Sequence, residues 1–279
     1  MGLSRRVFMD ASLSAATASV MAVTNVAEAS AKKPQKWDKT VNVVIIGSGD
    51  AGLATAVSAA ERGVKDILVL EKLAFLGGNT AIATGAFNTA DPKQKEQGIE
   101  DSPELHAQQT LKGSDFRGNP ELVNTLTHNS YDTLKWLESK GVKFQPKILQ
   151  VYGALWPRSH ATAASKGSDY IRVLSEEAKK LGVMIQTQAK VVDIIRENQL
   201  SGRVLGVEYV NKDGQHVFVR ALKAVVACPG GFAANREMRS MHDPRLYNLT
   251  TTNNPAASTG EVLVMMQDIG ADVTGMDHI

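Results

Sequence analysis

The 279 residues are 43% hydrophobic and 22% charged, with a formal net charge of +2. That is the balance of an ordinary soluble α/β protein of one large domain or two small ones, and without a basic stripe it excludes a dedicated nucleic-acid binder. The single cysteine, Cys228, excludes a disulfide framework, a CxxC pair and a CxxCH site for covalent haem. Electrons must therefore reach the chain from a separate partner or a diffusible donor.

Residues 1–29 read as an export signal. Ser4-Arg5-Arg6-Val7-Phe8 has the form of a twin-arginine motif, and a weakly apolar stretch rich in Ala, Ser and Thr follows over 11–26. Ala27-Glu28-Ala29 then offers a small-x-small cleavage site before Ser30. The stretch is too short and too polar for a stable membrane anchor. Twin-arginine export carries folded proteins, so the expected location is the bacterial periplasm, with any cofactor taken up beforehand. Residues 30–40 form a polar linker, and 41–279 form the folded domain.

The chain is organised around 43–71, VVIIGSGDAGLATAVSAAERGVKDILVLE. An apolar run stops at Gly47-Ser48-Gly49-Asp50-Ala51-Gly52, an alanine-rich segment with helical spacing follows, and a second apolar run ends at Glu71. Strand, glycine turn, helix, strand, acid is the dinucleotide-binding unit. Gly47 allows the tight exit from the strand, Gly49 lets backbone approach a pyrophosphate, and Gly52 lets the helix pack on the strand. The helix N-terminus turns partial positive charge toward phosphate. Glu71 stands where a carboxylate can accept bonds from both hydroxyls of an adenosine ribose.

Beyond this unit, Gly77-Gly78-Asn79-Thr80 and then Ala83 to Asn88 suit a loop laid along a second stretch of cofactor. Residues 91–98 are polar. Ser102-Pro103 and Asn119-Pro120 open two helices as N-caps with proline at the first helical position. In the second helix Leu122, Leu126, Leu134 and Leu137, with Trp136, define one face expected to be buried. The stretch 151–168 has little periodicity; its Arg158 and His160 could meet an anion, but a solvated surface is the plainer expectation. A helix over 168–181 ends at Gly182. Segments 189–196, 204–210 and 215–221 alternate apolar and polar residues around the turn Lys212-Asp213-Gly214, a three-stranded antiparallel meander. A separate strand over 223–228 ends in Ala227-Cys228-Pro229-Gly230-Gly231, leaving Cys228 a buried, inert thiol. After a short helix over 235–241, a polar loop over 250–260 leads into a helix over 261–269, and 271–274 begins one more strand.

Four stations form a set: Gly47 to Gly52 with Glu71; Gly77-Gly78-Asn79-Thr80 through Asn88; Ala227 to Gly231 after a meander; and Ser258-Thr259-Gly260-Glu261 opening a helix. In that order they resemble the FAD-binding half of the fumarate reductase/succinate dehydrogenase flavoproteins, and within it the soluble periplasmic branch with flavocytochrome c fumarate reductases and urocanate or methacrylate reductases. The resemblance implies an α/β fold: a Rossmann-like FAD-binding domain with a parallel sheet and a three-stranded antiparallel β-meander, C-terminally incomplete. It implies Gly47, Gly49, Ala51 and Gly52 at the FAD pyrophosphate and Glu71 at the adenosine ribose. Asn79, Thr80, Gly85 and Ala86 would line the flavin side. Val191 would meet the adenine through its backbone, and Ala227 and Gly230 would close over the adenosine half. Asp50, Lys72 and Gly78 complete the cofactor-binding set, with Glu261 where the family usually has Asp.

Membrane-bound members tether FAD through a histidine where this chain has Asn79, so the resemblance implies non-covalent FAD. The implied reaction is hydride transfer from reduced flavin to an α,β-unsaturated carboxylate, with a separate electron donor such as a c-type cytochrome and no metal. The family's substrate-clamping histidine, lid and proton-donating arginine fall beyond residue 279. No catalytic residue is therefore named, and the chain alone is expected to be inactive. The alternatives are a non-catalytic or vestigial FAD-binding module and a 3-ketosteroid dehydrogenase-like flavoprotein.

Overall fold

The structure is a computed structural model whose described residues are 34–250 and 256–276. The signal peptide expected over 1–29 lies outside them. The central strand β1 (Lys39–Ile46) begins inside the stretch expected to be linker. It runs parallel to β2 (Ile67–Leu70) on one side and to β8 (His216–Ala227) on the other. A strand with neighbours on both edges and cover on both faces must be almost wholly apolar. Val43 to Ile46 and Ile67 to Leu70 are accordingly all buried.

Alternation along the strands divides the core into two layers. Val43, Ile45, Ile67 and Val69 face α1 (Asp50–Glu61) and α5 (Ser168–Lys180). Leu53, Val57 and Leu174 reach zero exposure there, each worth about 1.5–3 kcal/mol of burial. Val44, Ile46, Leu68 and Leu70 face the other way, toward Val191, Ile194 and Tyr209 and toward α7 (Glu261–Asp268), whose Val262, Met265 and Met266 pack on them.

The sheet is completed by β5 (Met184–Gln186), parallel to β2, and by β6 (Lys190–Asn198) and β7 (Ser201–Val210), of which β7 runs antiparallel to both β6 and β8. Its order is β5-β2-β1-β8-β7-β6. The expected meander is present, but its third strand and the separate buried strand are one element. β8 pairs with β7 through Arg220 and with β1 through Ala227, and the register against β1 slips between Ala221 and Ala224. Val219 and Arg220 pair with both neighbours, so β8 passes from the meander into the parallel part of the sheet without a turn, and the irregularity follows that overlap.

A second, small sheet joins β3 (Ala86–Asn88) to β4 (Ser159–Ala161), the latter inside the stretch with little periodicity. Between them lie a 3-10 turn (Pro92–Gln97), α3 (Pro103–Gly113) and α4 (Pro120–Lys140). Ser102 and Asn119 cap α3 and α4 as expected: the Ser102 hydroxyl accepts from Leu105 N–H at 3.1 Å and Asn119 Oδ1 from Glu121 N–H at 2.9 Å. The expected face of α4 is buried only in part. Leu134 and Leu137 are core, whereas Leu122 and Leu126 are 68% and 62% exposed. The shorter helices are α2 (Gly78–Ile82) and α6 (Arg236–His242). The strand expected over 271–274 does not form; those residues follow α7 as irregular chain. Among the described residues no helix is long and apolar enough to cross a membrane.

Candidate cofactor site

At the C-terminal ends of β1 and β2 a cleft of about 310 Å³ opens between the N-terminus of α1, the start of α2, the start of β6 and the N-terminus of α7. This is the crevice beyond the strand ends where open α/β sheets bind ligands. Gly47, Gly49, Asp50, Ala51, Glu71, Lys72, Gly78, Asn79, Thr80, Val191, Gly230 and Glu261 all line it. Four residues expected there do not. Gly52 lies behind the turn, where an added Cβ would stand 2.0 Å from the Gly47 carbonyl oxygen. Ala227 is the last residue of β8 and pairs with Ile46. Ala86 opens β3 of the small sheet and Gly85 immediately precedes it, its carbonyl accepting from Tyr170 Oη–H at 3.0 Å and from Thr162 N–H at 3.1 Å.

Two kinds of glycine surround the cleft. Gly47 is forced by the fold: its φ is +100°, and a Cβ would sit 2.3 Å from the Cys228 carbonyl oxygen. Gly49 and Gly78 would meet nothing closer than 3.8 and 3.9 Å, and Gly230 nothing within 4 Å. Their missing side chains leave bare backbone facing open space, a cradle that fits a diphosphate approaching the start of α1.

Glu71 is 6% exposed and tightly held. Its Oε2 accepts from Ser48 N–H at 3.0 Å and from Ser48 Oγ–H at 2.6 Å, and its Oε1 from Leu73 N–H at 2.9 Å. Three of a carboxylate's roughly four acceptor positions are thus used within the protein. Glu71 therefore ties the glycine turn to the end of β2 before any ribose arrives, and has less left to offer than two full hydroxyl bonds. Ser48 is the residue that sequence reasoning missed. It reads as a filler between two glycines, yet it has zero exposure and also accepts from Gly77 N–H at 3.2 Å.

The far wall is ionic. Glu261 pairs with Lys72 at 3.4 Å and with Lys190 at 3.3 Å, and accepts from the Thr259 hydroxyl. Burial alone would raise its pKa, but the Thr259 hydroxyl, its own backbone N–H, Lys72 and Lys190 outweigh burial and hold it down at about 2. Asn79 Nδ2 donates to Ser258 Oγ at 2.6 Å, joining α2 to the same wall. Lys190 gave no sequence signal, because its partner Glu261 comes from a distant segment, and Ser258 stood out only as part of the stretch that opens α7, not as a partner of Asn79. Cys228 is half-buried, and burial pushes its thiol up, in keeping with an inert role.

A folded-state pKa below the ordinary carboxylate value means stability that is present above that value and lost as pH falls toward the folded one. Glu261→Gln is thus expected to speed amide exchange in α7 at neutral pH. The difference from wild type should shrink as pH falls from about 4.5 toward 2 and vanish only below that, once the Glu261 carboxyl is protonated in the folded protein too. Equal exchange at neutral pH would show that the ionic wall does not hold α7.

Arg158 and His160 do not reach the cleft, and neither is solvated. Both are buried. Arg158 grips Asp101 with two bonds, Nε to Oδ2 at 2.9 Å and an Nη to Oδ1 at 2.8 Å, while His160 Nε2 lies 3.2 Å from Asp91 Oδ2. They fasten the segment 91–101 to β4, away from the cleft.

Residues 42–279 match the family model of the FAD binding domain, FAD_binding_2. The chain belongs to the fumarate reductase/succinate dehydrogenase flavoprotein family. It is 33% identical, over 99% of its length, to the acrylate reductase flavoprotein subunit of Shewanella woodyi, and covers 56% of that protein. It is 32% identical over 86% of its length to a fumarate reductase (cytochrome) of Shewanella frigidimarina, of which it covers 42%. Among solved structures it resembles a 3-ketosteroid-Δ4-(5α)-dehydrogenase of Rhodococcus jostii RHA1 in complex with 4-androstene-3,17-dione. There the TM-score is 0.79 and the identity 30%, over 89% of this chain and 57% of that one. The chain thus spans about half the length of the curated relatives it matches. What it shares with them is the FAD binding domain.

Proposed function

We propose that this chain is the FAD-binding part of an exported reductase acting on a small α,β-unsaturated carboxylate, with FAD held non-covalently in the cleft at the strand ends. The observation that carries the reading is the cradle itself: the open backbone at Gly49, Gly78 and Gly230 facing the N-terminus of α1, with Glu71 already locked beside it. The start of α1 and the glycine turn would receive the diphosphate, Glu71 would accept from the adenosine ribose, and the backbone at Val191 would meet the adenine. Asn79 and Thr80 would border the flavin end.

FAD bound and reduced there supplies a hydride to the alkene carbon of the acceptor. The residues of this chain contribute binding and positioning. The relatives named for acrylate and for fumarate with a cytochrome support the acceptor class and a separate electron donor such as a c-type cytochrome. Asn79 at the flavin end supports non-covalent attachment, since an amide does not form the tether that a histidine does. The twin-arginine pattern supports a periplasmic location.

A second reading rests on the similarity to the steroid dehydrogenase. Anaerobic spectroscopy of FAD-loaded protein separates the two. With the chain extended by the further length that its relatives carry, reoxidation of the chemically reduced protein by fumarate or acrylate, faster than in buffer, is the expected result, whereas the 279 residues alone should show no such acceleration. Bleaching of the oxidised protein by a saturated 3-ketosteroid would favour the second reading. Acid precipitation is expected to release all flavin into the supernatant, and flavin retained in the pellet would rule out non-covalent binding.

A further inference from the structure

The first helical residue after the glycine turn is an acid, and its position is at odds with the ligand the turn is shaped for. Asp50 lines the cleft at the start of α1, and its Oδ1 is buried without a hydrogen-bond partner. Its backbone N–H, which could otherwise point at a phosphate oxygen, donates to Thr80 Oγ1 at 3.2 Å. From α5 the Tyr170 phenol faces it, with Asp169 adding further negative charge; burial first, and then both acids, push the phenol up. Among the described residues no cation pairs with Asp50: Lys72 and Lys190, the ammonium groups lining the cleft, are both engaged by Glu261. Three carboxylates and two ammonium groups line this cleft, so with all of them ionised it is net negative before an anionic diphosphate enters. Burial pushes the Asp50 carboxyl up.

We propose that Asp50 sets the affinity of this site for a diphosphate: the diphosphate is held only with Asp50 protonated, so that loading takes up one proton from solvent and weakens as pH rises. The inference rests on the FAD reading of the cleft. The proton goes to the Asp50 carboxylate, turning an unpaired acceptor into a donor beside the phosphate oxygens and removing like-charge repulsion in a partly desolvated space. The other acids of the cleft do not compete for this role. Glu261 titrates near 2, far below the working range, and Glu71 already accepts three hydrogen bonds from Ser48 and Leu73, whereas Asp50 Oδ1 accepts none. An asparagine at position 50 keeps the shape and the donor without the charge.

The test is the dissociation constant of FAD, followed by flavin fluorescence from about pH 5.5 to 8.5, for wild type, Asp50→Asn and Asp50→Ser, with ADP and adenosine as competing probes. Above the free-protein pKa of Asp50, the wild-type dissociation constant for FAD and ADP is expected to rise about tenfold per pH unit, the slope of one linked proton. Adenosine, lacking the diphosphate, should show no such slope. Asp50→Asn should flatten the profile and, near pH 8, bind FAD at least about tenfold more tightly than wild type. Asp50→Ser, which keeps a donor on a smaller side chain, should share the flat profile and serves if the asparagine variant does not fold. Parallel profiles for wild type and variants, a slope that adenosine shares, or weaker binding by the variants at every pH would overturn the proposal. Failure of FAD and ADP to bind any of the folded proteins would overturn the FAD reading of the cleft, and this proposal with it.

Discussion

Gly47→Ala is expected to lower stability by on the order of 4 kcal/mol and to abolish retention of FAD. Two independent costs add at this position. At φ +100° a side chain is strained wherever it stands, which costs about 1–3 kcal/mol. The new Cβ would also stand 2.3 Å from the Cys228 carbonyl oxygen, an atom fixed by β8, and overpacking of this kind costs about 1–3 kcal/mol more. Relief requires β1 and β8 to part where Cys228 N–H donates to the Ile46 carbonyl at 2.8 Å, which opens the floor of the cleft. Gly230→Ala is the internal control. It also has positive φ, but nothing lies within 4 Å of its would-be Cβ, so strain alone applies and the loss should be clearly smaller. Urea denaturation of the two variants makes the comparison. Equal losses would show that the contact with Cys228 is not what requires glycine at 47.

Asp101→Asn is expected to cost about 3–5 kcal/mol, the range for removing one partner of a buried ion pair and stranding the other. The Asp101 side chain has zero exposure and that of Arg158 only 7%, and the two carboxylate oxygens accept from Nε and one Nη along one edge of the guanidinium. Gln94 Nε2 adds a third bond to Asp101 at 3.0 Å while also donating to the Pro157 carbonyl at 2.8 Å, so the pair is the knot of a small network. Burial by itself would raise the Asp101 pKa; Arg158 and Gln94 outweigh it and hold the carboxyl below its ordinary value. Stability from this group is therefore fully present above the ordinary aspartate value near 3.8 and is lost as pH falls below it. The difference between wild type and Asp101→Asn should shrink on acidification for the same reason. The double variant Asp101→Leu/Arg158→Met, which leaves no charge stranded, should recover most of the loss. A double variant no more stable than Asp101→Asn would mean that the network specifies the fold here rather than merely satisfying its own charges.

Both sites bear on what the sequence reveals unaided. The β1–α1–β2 unit is legible because its signals are local: an apolar run, glycines at fixed offsets, and an acid at the end of the second strand. The cleft follows from it, since a parallel sheet with this turn leaves its crevice at the strand ends. The helix caps Ser102 and Asn119 are legible for the same reason.

What escapes the sequence depends on partners far away in the chain. Arg158 and His160 look like solvated loop residues until Asp101 and Asp91, some sixty residues earlier, are folded against them. Leu126 lies on the same face of α4 as Leu137, about three turns away, yet it is exposed because the first turns of that helix extend past the elements that bury its second half. β8 reads as two strands because its first half pairs mainly with β7 and its second half with β1, the two pairings overlapping at Val219 and Arg220 with no turn residue between them. Ser48 is invisible for a subtler reason: the motif defines its neighbours, and only the folded turn shows that its hydroxyl locks Glu71.

The most direct test of the central claim is whether the purified chain retains FAD. After incubation with excess FAD and desalting, the protein should carry close to one flavin per chain, with the paired near-ultraviolet and blue absorption bands of the oxidised cofactor. A folded, monodisperse protein that emerges colourless would contradict the reading of this cleft as a self-sufficient FAD site.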